Sequence, residues 1–283
     1  LIFKKRSKGK AGSGEREMSF LDHLEELRWH IIRSLIAMCF FAILAFILKD
    51  FIFGKLILGP SKPDFITYRM FCKLGELTNS SFFCIDELPF IIQNRKITAQ
   101  FTIHITYSMV AGLILAFPYV FWEIWRFISP GLYENERKVS RGAVFFVSFL
   151  FALGVLFGYY LVTPISVNFL TNYQLDPSIQ NEIDLTSYVS TILMMVVACA
   201  IMFQLPVVIY FLTSAGIVTP DFLRTYRKHA IIVVLVISAV ITPPDIISQI
   251  LVSIPIMILY EVGISISKVI YRRRQEEMEE ILS

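Results

Sequence analysis

The sequence predicts an all-α polytopic membrane protein with six transmembrane helices, both termini in the cytoplasm and the last two helices short. Three observations carry that expectation. Hydrophobic residues form 55% of the chain and charged residues 17%, with a mean hydropathy of +0.64, far above a soluble domain. Runs free of Asp, Glu, Lys and Arg extend over 97–122, 142–175 and 185–220, each able to hold the roughly 20 apolar residues that a crossing needs. Lys and Arg cluster before the first apolar run, over 126–141, over 224–228 and over 268–274, whereas 163–187 contains neither. Only six crossings place all four clusters on the cytoplasmic side, where the positive-inside rule puts them.

The elements follow in order. Residues 1–17 read as a basic, flexible cytoplasmic tail rather than a cleaved signal peptide, being short in apolar length and rich in Lys, Gly and Ser. The membrane domain spans 18–268. Its first crossing is expected over 31–48, with Arg33 near enough to the end to snorkel. An external loop over 49–97 carries several basic residues; acidic residues interleave with them, and long loops translocate with less regard to charge. The second crossing is expected over 98–122, with Trp122 and Trp125 suited to an interfacial belt. The third covers 143–162 and stops near Pro164, and the fourth covers 188–212 and contains Gln204 and Pro206.

Near the C-terminus, two apolar stretches flank "TPPD". Adjacent prolines remove backbone donors and disfavour helix in the preceding residue, so a hairpin of two crossings is expected, over 229–242 and 246–267. Their apolar cores are "AIIVVLVISAVI" and "IISQILVSIPIMILY". Runs of about 12 to 15 residues cover roughly 18 to 22 Å, short of a hydrocarbon core of about 30 Å. Local thinning of the bilayer is the expected response. Residues 269–283 read as a charged cytoplasmic tail.

Several function classes are excluded by what the chain lacks. It has no Gly-rich phosphate loop, no nucleophile–base arrangement and no metal-ligand spacing among its four cysteines and four histidines. The expectation is therefore a non-enzyme without cofactor or metal. A net charge of +3 gives no sign of nucleic-acid binding. No internal repeat marks an inverted-repeat transporter. Cys39 and Cys199 fall in apolar runs and read as inert core residues.

Three groups of polar residues stand at the membrane. In "MSFLDHLEELRWHII" (18–32), Ser19 and Asp22 fit a capping box, and Phe20, Leu24, Leu27 and Ile31 form a stripe. Asp22, Glu25, Glu26 and Trp29 project roughly opposite that stripe. Carboxylates three and four apart repel on one helix face. Either this is a solvated face with Arg28 as counter-ion, or it is an edge that a cationic partner relieves. In "FISPGLYENERK" (127–138), Glu134 and Glu136 put carboxylates at the inner face; they fit a docking site or a helix N-terminus equally. Gln204, with Glu123 and Glu261 near other span ends, fits either a helix–helix hydrogen bond or a polar path for a small solute. The second option makes a small-solute secondary transporter the alternative function.

These stretches together carry a resemblance. "FLDHLEELRWHIIRS", "FPYVFWEIWRFISPGLYENERK", "FQLPVVIYFL" and "TPPDIISQILVSIPIMILYEVGI" resemble, in this order, the signatures of the TatC family, the multispanning subunit of the twin-arginine protein translocase. The resemblance covers about 18–268. It implies a core subunit of the prokaryotic cytoplasmic (inner) membrane that binds twin-arginine signal peptides of folded precursors and organises their export using the proton motive force. It implies as partners small single-span Tat subunits of the TatA and TatB type, and self-association in a multimeric receptor complex. Signal recognition in the family falls on positions matching Glu26, with Arg28 alongside, and on Phe127 and Glu136. Other family positions match Pro60, Asp245 and Gln249. The chain departs from the family at Gln204, where a glutamate is common; the amide cannot ionise, so exchange for glutamate is expected to be tolerated. The first external loop is also longer than in compact members. It contains Cys72 and Cys84, which are expected to form a disulfide worth about 3 kcal/mol.

Overall fold

The computed structural model describes residues 20–78, 90–128, 140–176, 178, 181–242 and 246–282; the account below concerns these. Helix α1 (Phe20–Ile47) carries the first crossing. A helical turn (Lys49–Phe51), a π-helical stretch (Ile52–Ile57) and a 3-10 turn (Gly59–Ser61) lead to α2 (Ile66–Thr78) and strand β1 (Ile91–Gln93). Helix α3 (Ala99–Ile128) makes the second crossing. The third consists of α4 (Ser140–Phe157), a π-helical turn (Gly158–Val162) and α5 (Thr163–Asn172). Strand β2 (Glu182–Asp184) precedes the fourth, α6 (Leu185–Met202) and α7 (Leu205–Ser214). Helices α8 (Pro220–Thr225), α9 (Arg227–Ile241) and α10 (Ile246–Leu282) complete the chain.

Five segments are long and apolar enough to cross a bilayer: Glu25–Ile47, Ala99–Ile128, Gly142–Asn172, Leu185–Ser214 and Ser248–Glu276. Helix α9, at 15 residues, is about 22 Å long, short of the roughly 30 Å core. Its neighbour corrects the expectation of two short helices. Helix α10 runs 37 residues through Pro255, or about 55 Å. Beyond its apolar stretch the helix continues into the charged segment, where an i,i+4 pair between Arg272 and Glu276 at 2.9 Å supports it.

Small residues let the crossings approach closely. A Cβ on Gly112 of α3 would stand 2.7 Å from the Ala42 amide nitrogen of α1. Gly154 and Gly158, spaced four apart, face α6 in the same way: a Cβ on the first would lie 2.8 Å from Ala200 Cα, and on the second 3.0 Å from Cys199 Cβ. In lipid there is little hydrophobic drive between helices, so contact at backbone distance is a main source of packing energy. Cys199 is buried there, but Cys39 is exposed on α1. An apolar run in a membrane protein can face outward as easily as inward, so the expected core placement of Cys39 does not hold.

The third crossing does not stop at Pro164. Proline at 164 cannot donate to the carbonyl four residues back, that of Tyr160, and the Thr67 hydroxyl of α2 donates to that carbonyl instead. Thr163 Oγ1 donates to the Gly158 carbonyl at 2.8 Å, supporting the π-helical turn. Helix therefore continues through the proline to Asn172. The fourth crossing is interrupted instead, at Phe203 and Gln204, with Pro206 in the first turn of α7.

The opposite end of the bundle from Glu26 is held by polar clasps. The buried Tyr68 hydroxyl donates to the carbonyls of Pro60 (2.9 Å) and Pro164 (3.1 Å), and burial pushes its phenol well above the usual tyrosine range. Tyr159 and Tyr188 donate to the Leu56 and Ile57 carbonyls. Strands β1 and β2 pair in parallel, Ile91 opposite Glu182 and Gln93 opposite Asp184, with an Arg95–Glu182 ion pair at 2.9 Å beside them.

Candidate functional site

At the N-terminal end of α1 the burial pattern differs from the expected stripe. Glu25, Glu26, Arg28 and Trp29 are exposed and Leu27 is half-buried. Ile31, expected on the packed face, is 49% exposed, whereas His30 is 7% exposed. A histidine, rather than an aliphatic side chain, anchors this end of the helix.

Its partner explains the choice. Glu123 of α3 is 1% exposed, and a carboxylate at that depth needs hydrogen-bond donors. His30 Nδ1 lies 2.5 Å from Glu123 Oε2; because a carboxylate only accepts, the nitrogen donates. The Tyr119 hydroxyl donates to Glu123 Oε1 at 3.0 Å. Arg33 Nη1 stands 3.9 Å from Oε2 and is half-exposed. Both carboxylate oxygens are thus engaged, and α1 and α3 are joined across 93 residues of sequence.

Helical spacing places the expected recognition residues beside this pair. Glu26 precedes His30 by four residues and Phe127 follows Glu123 by four, so each shares a helix face with one member. The Phe127 ring meets the His30 ring edge-on, with centroids 6.0 Å apart and an interplanar angle of 61°. Arg126 lies over the Trp122 ring at 5.7 Å. The result is an exposed edge of two carboxylates, Glu25 and Glu26, with the guanidinium groups of Arg28 and Arg126 and aromatic surface beside it. Glu136 and Glu134 lie outside the described residues, as do Ser19, Asp245, Cys84 and the side chain of Asp22.

The remaining expected positions are dispersed. Pro60 is buried in its 3-10 turn, its carbonyl accepting from Tyr68 at the far end. Gln249 Nε2 donates to the Leu235 carbonyl at 3.2 Å, bracing α9 against α10. Gln204 is half-buried, and its Nε2 donates to the Val147 carbonyl of α4 at 3.3 Å. An ionised carboxylate at 204 would have nothing to donate to that carbonyl. Cys72 is disulfide-bonded while Cys39 and Cys199 are free; the expected bridging residue, Cys84, lies outside the described residues.

Each polar group that fitted a solute path has a protein partner of its own. Glu123 is taken by His30 and Tyr119, Gln204 by Val147, and Glu261 by Arg227 at 2.7 Å. Sequence reasoning missed His30 and Tyr119 and gave Glu123 the wrong company. The available signal was the pair of four-residue offsets, Glu26 to His30 and Glu123 to Phe127.

Comparison with known proteins gives the family of the chain. Residues 22–255 match the family described as Sec-independent protein translocase protein (TatC). A Sec-independent protein translocase protein TatC from Blattabacterium sp. subsp. Periplaneta americana (strain BPLAN) is 42% identical over 264 residues, covering 92% of this chain and 98% of that one. TatCy from Bacillus subtilis (strain 168) is 34% identical, covering 92% of each chain. A crystal structure of the twin-arginine translocase receptor TatC in DDM superposes with a TM-score of 0.68 at 30% identity, covering 87% of this chain and 99% of that one.

Proposed function

The chain belongs to the TatC family of Sec-independent protein translocase proteins, and from that premise we propose that its Glu26–Phe127 corner receives the arginine pair of a twin-arginine signal peptide. The observation that carries this reading is the juxtaposition of the exposed Glu26 with Phe127 through the His30–Glu123 pair. Guanidinium groups bind carboxylates bidentately where ammonium groups cannot. Glu26 supplies one carboxylate, and Glu136, in the segment that follows Phe127, supplies the second. Arg28 sets the local charge and disfavours a single unpaired cation. Exposed ion pairs contribute only about 0 to 1 kcal/mol each, so apolar contact between Phe127 and the signal's hydrophobic segment supplies much of the affinity.

In this reading the corner faces the cytoplasm of a prokaryotic cell, α9 makes the fifth of six crossings, and both termini are inside. The protein acts as the receptor core of the complex. Single-span TatA- and TatB-type subunits associate with it, and copies of it assemble into a multimeric receptor driven by the proton motive force. Pro60, Gln204, Asp245 and Gln249 maintain the frame rather than touch the arginines, and Cys72 with Cys84 closes the external loop.

The test is photocrosslinking of a twin-arginine precursor, and of its twin-lysine counterpart, to the protein in membrane vesicles. Glu26→Ala and Glu136→Ala are expected to abolish preference for the arginine form without altering insertion, and arginine at either position is expected to be worse. A correctly inserted double alanine variant that keeps the preference removes these residues from the site.

A further inference from the structure

We propose that the buried His30–Glu123 pair is a positioning element that sets the separation of Glu26 and Phe127, and with it the preference for paired arginines over paired lysines. The inference rests on the signal-binding reading above and names two residues outside the recognition positions.

Among the described side chains of α1, residues 25–29 are exposed or half-exposed and His30 is the first that is buried. Among the described side chains, His30 is thus the first buried group that the carboxylate edge of the helix can take its placement from. Farther along α1, Ile32, Ser34, Ala37, Met38 and Phe41 are half-buried, Ala42 stands against Gly112, and the Phe46 carbonyl is 3.0 Å from His104 Nε2. Glu26 lies about one helical turn beyond His30, so a shift of the helix end at His30 carries the Glu26 carboxylate with it. Apolar contact tolerates such a shift; a hydrogen bond of 2.5 Å between buried groups does not. Tyr119, bonded to the other oxygen, fixes the Glu123 carboxylate in turn. Arg33, half-exposed, adds charge balance from the same helix as His30.

Bidentate recognition is the step that needs such placement. A guanidinium offers a rigid planar fork, whereas an ammonium group binds as a point charge on a flexible stem. Loosening the edge should therefore lower arginine binding and leave lysine binding nearly unchanged, so the ratio of the two reports positioning rather than charge.

The experiment measures affinity of twin-arginine and twin-lysine signal peptides for the full-length protein in nanodiscs, alongside its thermal unfolding. His30→Leu/Glu123→Leu replaces both partners of a buried hydrogen bond by apolar groups, an exchange that can be nearly neutral for folding. Its arginine affinity is expected to fall about tenfold, the loss of one charge-assisted hydrogen bond, with lysine affinity unchanged. His30→Arg, which retains a donor to Glu123, is expected to keep the native ratio. Glu123→Met, of similar length and without an acceptor oxygen, is expected to lower the ratio severalfold and serves where the double variant does not insert. A native ratio in the double variant or in Glu123→Met, with Glu26→Ala defective, overturns the positioning role and leaves the signal-binding reading standing. A native ratio in Glu26→Ala overturns that reading, and this inference with it.

Discussion

Gly112 and Ala42 hold α3 and α1 at backbone contact: a Cβ at Gly112 would lie 2.7 Å from the Ala42 nitrogen and 2.8 Å from its Cα. Neither obstacle is a flexible side-chain end. Gly112→Val should therefore force the helices apart and destabilise the protein by about 1–3 kcal/mol or more. Gly142 on α4 has nothing within 4 Å of its virtual Cβ, so Gly142→Ala should be neutral or slightly stabilising. Thermal unfolding of the two variants in one detergent checks the contrast.

The Thr67–Tyr160 bond matters because Pro164 leaves that carbonyl without its intrahelical donor. Thr67→Val should cost about 1–3 kcal/mol, the penalty for a buried acceptor left unmade. In Pro164→Ala the backbone amide returns, and the same threonine substitution should cost much less. A double-mutant cycle on unfolding free energies gives the coupling, which is expected to be clearly non-zero.

Gln204→Glu removes the donor to the Val147 carbonyl and sets an acceptor against an acceptor. Stability at neutral pH is expected to fall by about 1–3 kcal/mol. Gln204→Glu unfolding at the native temperature would remove this bond from the account of the fourth crossing.

Arg227 and Glu261 form a geometrically good pair at 2.7 Å, but both side chains are nearly half-exposed. Screening limits such a pair to about 0 to 1 kcal/mol. Glu261→Gln should barely move the unfolding midpoint, and less still in high salt.

Asp184 caps α6, accepting from the Thr186 amide at 3.0 Å. Desolvation raises its carboxyl, but the hydroxyl and amide of Thr186, with the Arg95 and Ser187 amides, outweigh it and hold the group below its ordinary value. A lowered folded-state value stabilises the protein above the unfolded carboxyl's range and loses that contribution as pH falls through the folded value. Melting curves of the native protein and Asp184→Asn should thus differ at neutral pH and converge in acid.

The five long crossings were legible because lipid imposes one requirement, a sustained apolar run, which local sequence displays. Errors arose where a distant residue settled a local question. Pro164 looked like a helix end, but Thr67 accepts the consequence of the missing amide. Residues 269–283 read as a charged tail, and α10 continues into them with support from i,i+4 pairing. At the site, Glu26 and Phe127 were legible through family signatures. His30 was not, because a histidine on an amphipathic helix gains meaning only from a carboxylate 93 residues away.

The clasp at Tyr68 and Thr67 also has a place in time. Both side chains precede their acceptors on the third crossing by more than 90 residues: 93 from Thr67 to Tyr160, and 96 from Tyr68 to Pro164. At synthesis rates of about 5–20 residues per second, α2 waits roughly 5 to 20 seconds before those carbonyls exist. Only when the third helix has threaded the membrane, proline included, can the loop close over it. Closure thus marks that half of the bundle has been delivered in the right order, and a chain stalled or misthreaded before that point would present an open loop to surveillance proteases.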